Sequence, residues 1–190
     1  MTALNLDIPQ FETERLILRE VQITDFSCYE RHFADYEVIR HLYAVVPWPF
    51  PKNGVADFYT TAILPGLGKD RWLWGIFLKE NPSELIGAVD LWRNGIPENR
   101  GFWLGRKFWG QGFMTEAVLP ITAHAFEALG FEKLIFSKAV GNQKSHRIKE
   151  KTGARLIGVE PAKFVDPIYT EREIWEFTKS DWNKINDLTK

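Results

Sequence analysis

The chain has 190 residues, 45% hydrophobic and 26% charged, which suits one domain burying roughly 70% of its unfolded surface. A formal net charge of −1 gives no basic surface for nucleic acid or for an acidic membrane, so neither is expected as a partner. The single cysteine, Cys28, excludes an internal disulfide and a cysteine-rich metal site; it reads as a small buried apolar residue, and no metal is expected.

The first seven residues lack the basic and long apolar segments of a secretory leader. No apolar run reaches the roughly 18 residues of a membrane span, so a cytoplasmic location is expected. Residues 15–19 read as a first strand. Thr24 reads as the cap of a helix reaching about residue 33, followed by a short helical piece at 37–42. The proline-broken stretch 46–53 can be neither helix nor central strand. A helix at 55–64 ends at Pro65-Gly66. Strands at 71–78 and 85–92 form a hairpin across 79–83, and 100–104 is the next strand. Met114, Ala117, Val118, Ile121 and Ala125 fall on one face of a helix over 114–128. Pro120 is expected to kink that helix and Gly130 to end it. A strand at 133–140, a short helix at 145–152, strands at 155–159 and 170–177, and a terminal helix capped by Ser180 complete the order. The pattern is mixed α/β without repeats or linkers.

Two turns carry chemistry. Gly110-Gln-Gly112 lies between an aromatic strand and a helix. Glycine lets a backbone approach a ligand closely, and the free amides of a first helical turn attract anions. The segment lacks the nucleoside-triphosphate loop pattern and the third glycine of a dinucleotide fingerprint. Downstream, Gly141-Asn-Gln-Lys-Ser145 follows a strand and opens a short helix, with Asn142 as N-cap and Ser145 one turn on.

A glycine-turn helix, a strand, and then Asn-x-x-Ser at a second helix start resemble the GNAT N-acetyltransferase superfamily, most closely its RimJ/RimL-like branch. Residues 12–19, Glu-Thr-Glu-Arg-Leu-Ile-Leu-Arg, are similar to the opening strand of that branch. The resemblance implies a single α/β domain over 13–178, with a mixed, mostly antiparallel twisted sheet flanked by helices on both faces; 179–190 would be a C-terminal tail or short helix. It implies acetyl-CoA as cosubstrate. The diphosphate would sit on amides of Gln111, Gly112, Phe113, Met114 and Thr115. The pantetheine arm would pair with backbone groups of Leu104 and Arg106, held by Asn142. Ser145 would lie near the thioester sulfur, an amine would attack the thioester directly in a ternary complex, and coenzyme A would leave.

The chain departs from the superfamily pattern in several places. Trp109 opens the loop where many members carry Gln or Arg, and Met114 stands where a small residue is usual. Ala154 replaces a common Phe. Lys149 occupies the position of a catalytic tyrosine, which leaves Ser145, directly or through water, to protonate the departing thiolate. No acid stands at either position used by relatives as general base, so Glu98, Asp90, Glu171 and His41 are all candidates. An α-amine with pKa of about 7.7–8 is roughly 10–20% neutral at pH 7, whereas a lysine amine near ~10.4 is below about 0.1%. The absent base therefore favours a low-pKa acceptor.

The resemblance implies a primary amine as acceptor, either a protein N-terminus or a small molecule. Its groove is expected to be lined by the 41–50 loop, the helix after it and the hairpin near Trp92, with Trp48, Phe50 and Trp92 as binding residues. Trp48, Phe50, Trp72, Trp74 and Trp92 read either as an aromatic wall or as core. A non-catalytic acyl-CoA sensor is the alternative. Monomer and homodimer both remain open.

Overall fold

The computed structural model describes residues 8–94 and 97–188. The N-terminal stretch read above for a leader lies outside them. In chain order the elements are β1 (Phe11–Glu12), β2 (Leu16–Glu20), α1 (Phe26–Phe33), α2 (Tyr36–Ile39), α3 (Gly54–Phe58), β3 (Arg71–Leu78), β4 (Asn81–Trp92), β5 (Arg100–Leu104), α4 (Phe113–Glu127), β6 (Lys133–Ala139), α5 (Gln143–Lys151), β7 (Arg155–Pro161), β8 (Glu171–Thr178) and α6 (Lys179–Leu188).

Strands β1 to β5 form an antiparallel meander in chain order, and β6, β8 and β7 form a second antiparallel sheet with β8 in the middle. The strands of the first sheet pack the core through residues such as Leu16, Leu18, Trp74, Ile76, Phe77 and Val89, all at most 1% exposed. Trp72 and Trp74 are therefore core rather than groove wall. Helix α4 lays Ala117, Val118, Ile121 and Ala125 into the same core at 0% exposure and runs unbroken past Pro120. Cys28 is only half-buried, with Arg31 Nη2 3.3 Å from its sulfur.

The two sheets touch at one end. Asn99 N–H donates to the Ile135 carbonyl (2.9 Å), and Ile135 N–H donates to Asn99 Oδ1 (2.8 Å). Beyond that junction β5 and β6 are not paired and belong to separate sheets. Gly105 N–H bonds the Ile86 carbonyl and Trp92 N–H bonds the Asn99 carbonyl, so the odd residues of β5 face β4. The amides of Phe102 and Leu104 consequently face the gap.

Two expected caps move. Thr24 is exposed and does not cap; the chain enters α1 through a 3-10 turn closed by Asp25, whose carboxylate accepts from Gln22 N–H (2.8 Å) and pairs with Arg19 (2.8 Å). At the other end Thr178, not Ser180, starts α6. Its hydroxyl accepts from Asp181 N–H (3.1 Å), while Asp181 accepts from Thr178 N–H (3.2 Å), a reciprocal capping box. Residues after 178 thus form a helix that packs Trp182 against Phe126 and Phe177. Among the described residues no helix is long and apolar enough to cross a membrane, and no cluster of ligating side chains could hold a metal.

Candidate active site

The gap between β5 and β6 opens into a cavity of about 450 Å³. Its walls come from the β5 edge (Phe102, Leu104), the glycine turn and first turn of α4 (Gly110 to Thr115, without Gln111), β6 (Phe136, Ser137, Lys138) and α5 (Asn142, Lys144, Ser145, Lys149).

The turn has the backbone its sequence demands. Gly110 and Gly112 take φ of +78° and +84°, a region costly for residues with a Cβ. The first bond of α4 runs from Glu116 N–H to the Gly112 carbonyl (3.0 Å), so the amides of Phe113, Met114 and Thr115 precede the helical ladder. A staple from the distant N-terminus holds this turn. Thr13 Oγ1 (2.5 Å) and Arg15 N–H (2.9 Å) donate to Glu116 Oε1, Arg15 Nη2 lies 2.6 Å from Glu116 Oε2, and Arg15 Nη1 donates to the Gln111 carbonyl (3.0 Å). Burial pushes the Glu116 carboxyl up, but its bonds to Thr13 and Arg15 outweigh that and hold it below the usual range.

On α5, Asn142 is the N-cap; its Oδ1 accepts from Ser145 N–H (3.2 Å), which turns Ser145 toward the cavity end of the helix. Lys149, one turn on and 1% exposed, donates from Nζ to Ser145 Oγ (2.9 Å). Burial, reinforced by the charges of Arg100 and Lys138, holds the Lys149 ammonium well below the usual lysine range, with Glu173 opposing. Arg100 is 2% exposed, stacks over Phe136 at 3.8 Å, and leaves Nε and Nη2 without a partner.

The opposite face carries the acids and aromatics. Tyr43 OH donates to Glu98 Oε1 (2.5 Å) and lies 2.5 Å from Ser137 Oγ, while Arg172 Nη1 binds the same Glu98 oxygen at 2.6 Å. Of the three candidate carboxylates, Glu98 lines the cavity; Asp90 is paired with Arg71 and Glu171 lies on an exposed strand end, both outside it. His41 lines it too, 3.1 Å from Tyr169 OH, and burial with Arg40 nearby lowers its pKa.

The expected site residues divide accordingly. Leu104, Gly112, Phe113, Met114, Thr115, Asn142, Ser145 and Trp92 line the cavity. Arg106 does not; it sits in a 3-10 turn beside a separate small depression with Arg31 and Lys107. Gln111 points outward and bonds the Lys107 carbonyl (3.1 Å). Trp48 and Phe50 pack on Tyr36 and Phe33 instead, with centroids 5.2 and 5.1 Å apart. The Leu104 carbonyl already accepts from the Trp109 indole (2.7 Å), which leaves its amide for a ligand. Met114 is core, at 4% exposure. Sequence reasoning missed Tyr43 and Lys144. Lys144 Nζ lies 3.8 Å from the Trp109 ring centroid, a cation set over the glycine turn, and its place two residues after the Asn142 cap was the signal available.

The acetyltransferase (GNAT) domain family matches residues 15–155. The chain belongs to the GNAT acetyltransferase family. It is 27% identical over 155 residues to the uncharacterized N-acetyltransferase YoaA of Bacillus subtilis (strain 168), covering 80% of this chain and 85% of that one. The fold matches spermidine N-acetyltransferase from Vibrio cholerae, solved with CoA and spermine, with a TM-score of 0.74 at 18% identity over 90% of this chain and 99% of that one. It also matches Mycobacterium smegmatis RimJ, solved with CoA-disulfide, with a TM-score of 0.74 at 16% identity over 87% of this chain and 83% of that one. The chain is thus an N-acetyltransferase of the GNAT family.

Proposed function

We propose that this acetyltransferase moves the acetyl group of acetyl-CoA to a primary amine by direct attack in a ternary complex in the cytoplasm. The observation that carries this is the convergence of three unspent donor sets on one cavity. The amides of Phe113, Met114 and Thr115 suit the diphosphate, with Lys144 nearby as countercharge. The Phe102 and Leu104 amides suit the carbonyls of an extended arm. Asn142 spends Oδ1 on its own helix and keeps Nδ2 for a third carbonyl. Ser145 lies where that arm would end and serves the departing sulfur.

The acceptor side is aromatic and acidic, with Trp92, Phe164, Tyr43 and Glu98, a lining that suits a cationic amine. Glu98 spends Oε1 on Tyr43 and Arg172, so Oε2 is the oxygen that orients the amine and takes its proton. This arrangement serves a protein α-amine or a small polyamine, and the spermine-bound fold neighbour makes polyamines a sensible first panel.

Calorimetric titration with acetyl-CoA, followed by thiol release over N-terminal peptides, polyamines and lysine peptides, tests the reading. Binding with amine-dependent release is expected. No binding would overturn the cofactor site, and binding without release on any amine would favour the acyl-CoA sensor.

A further inference from the structure

The Ser145–Lys149 pair is more than a packing contact. The two residues stand four apart on α5, so they share one face, and Lys149 Nζ lies 2.9 Å from Ser145 Oγ. Lys149 Nζ lies over the rings of Phe102 and Phe136, 5.3 and 5.2 Å from their centroids. An ammonium carries three N–H donors, and among the described residues Ser145 Oγ is the one acceptor in reach. The charged groups around it also oppose a proton there. Arg100 on β5 and Lys138 on β6 are cations, and the carboxylate that opposes them, Glu173 on β8, is engaged by Lys138 (2.8 Å) and His146 (3.2 Å). The same surroundings favour loss of a proton from Nζ, and once neutral its lone pair can take the Ser145 hydroxyl proton along the 2.9 Å contact. A hydroxyl bonded to such a buried amine, in the cavity proposed above for the thioester, has the arrangement of an activated nucleophile.

We propose that Ser145 and Lys149 form a nucleophile–base pair that, with no amine bound, moves the acetyl group of acetyl-CoA onto Ser145 Oγ and then to water. The inference rests on the acetyl-CoA site proposed above. In the first step the Oγ proton passes to Lys149 Nζ as Oγ bonds the acetyl carbon. The carbon–sulfur bond breaks, and the thiolate takes the proton back from Nζ to leave as the thiol. In the second step water gives a proton to Nζ as it bonds the ester carbon. That proton returns to Oγ as the ester breaks, and acetic acid departs, giving its remaining proton to solvent as acetate. The net reaction is thioester hydrolysis, with no oxidant and no second cosubstrate.

The test uses the full chain with isotopically labelled acetyl-CoA and no amine, reading thiol release, intact mass and the labelled peptide, with CoA affinity measured for each variant. The expected result is acceptor-independent release with one acetyl group on the peptide carrying Ser145. Both are lost in Ser145→Ala. Release falls by about 100-fold or more in Lys149→Met, the usual share of a general base. The wild-type rate should also fall as pH falls through the Lys149 pKa, whereas the residual rate of Lys149→Met should not follow that limb. If CoA binds but release matches Ser145→Ala, if the label sits on Lys149 itself, or if Lys149→Met stays within twofold, the pair is not a nucleophile and base. If CoA fails to bind the wild type, the cofactor site itself is wrong and the inference falls with it.

Discussion

At the scale of single residues, the site divides binding from chemistry along one helix start. Asn142 closes the first turn of α5 with Oδ1 and offers Nδ2 to the cavity, so Asn142→Ala is expected to weaken CoA binding. The lost cap should also cost about 1 kcal/mol of stability. Ser145 contributes its hydroxyl rather than its backbone, so Ser145→Ala should leave CoA affinity intact and lower amine-dependent turnover. Calorimetry beside steady-state kinetics separates the two, and a Ser145→Ala rate within twofold of wild type would remove Ser145 from the chemistry. Both positions were legible because a cap and a residue one turn later are local patterns. The pairing of Ser145 with Lys149 was not: Lys149 stood out by sequence as the residue at a catalytic tyrosine's position, but its burial depends on Arg100, Phe102 and Phe136 from other strands.

At the scale of elements, the glycine turn was readable and the staple that holds it was not. Gly112 meets nothing closer than 3.5 Å where a Cβ would go, so its glycine is required by φ rather than by space. Gly112→Ala is expected to cost roughly 1–2 kcal/mol in denaturant unfolding and to reduce CoA affinity, because the amides after it would be re-aimed. The staple joins Thr13 and Arg15 to Glu116 across about a hundred residues, a separation that no local periodicity reports. It also predicts a pH dependence. Glu116 is held below its ordinary pKa in the folded chain, so protons bind the unfolded chain more readily. Its stabilisation is complete above about pH 4.3 and is lost as pH falls below that. Glu116→Gln should flatten this part of the stability–pH curve measured by chemical denaturation. Thr24 and Ser180 failed as caps for a similar reason. Each had the right chemistry, but a neighbour with a reciprocal bond, Asp25 or Thr178, took the role.

At the scale of the whole molecule, strand positions and the α/β class followed from alternation and turn residues, whereas the break between β5 and β6 did not. Its decisive element is an asparagine side chain standing in for a strand: Asn99 Oδ1 takes the Ile135 amide, and Nδ2 lies 3.4 Å from the Lys133 carbonyl. Asn99→Ala should therefore lower stability by about 1–3 kcal/mol, the cost of an unsatisfied buried group. It should also raise the KM for acetyl-CoA more than it lowers kcat, because it shifts the angle of the gap and leaves Ser145 alone. The break reverses where exchange-labile backbone is found. Strand amides that trade hydrogen for deuterium quickly usually belong to a fold's margin, yet here Phe102 and Leu104 turn theirs to an opening at its centre. In deuterium exchange they are expected to behave like outer-strand positions, and to slow once a coenzyme A arm lies alongside them.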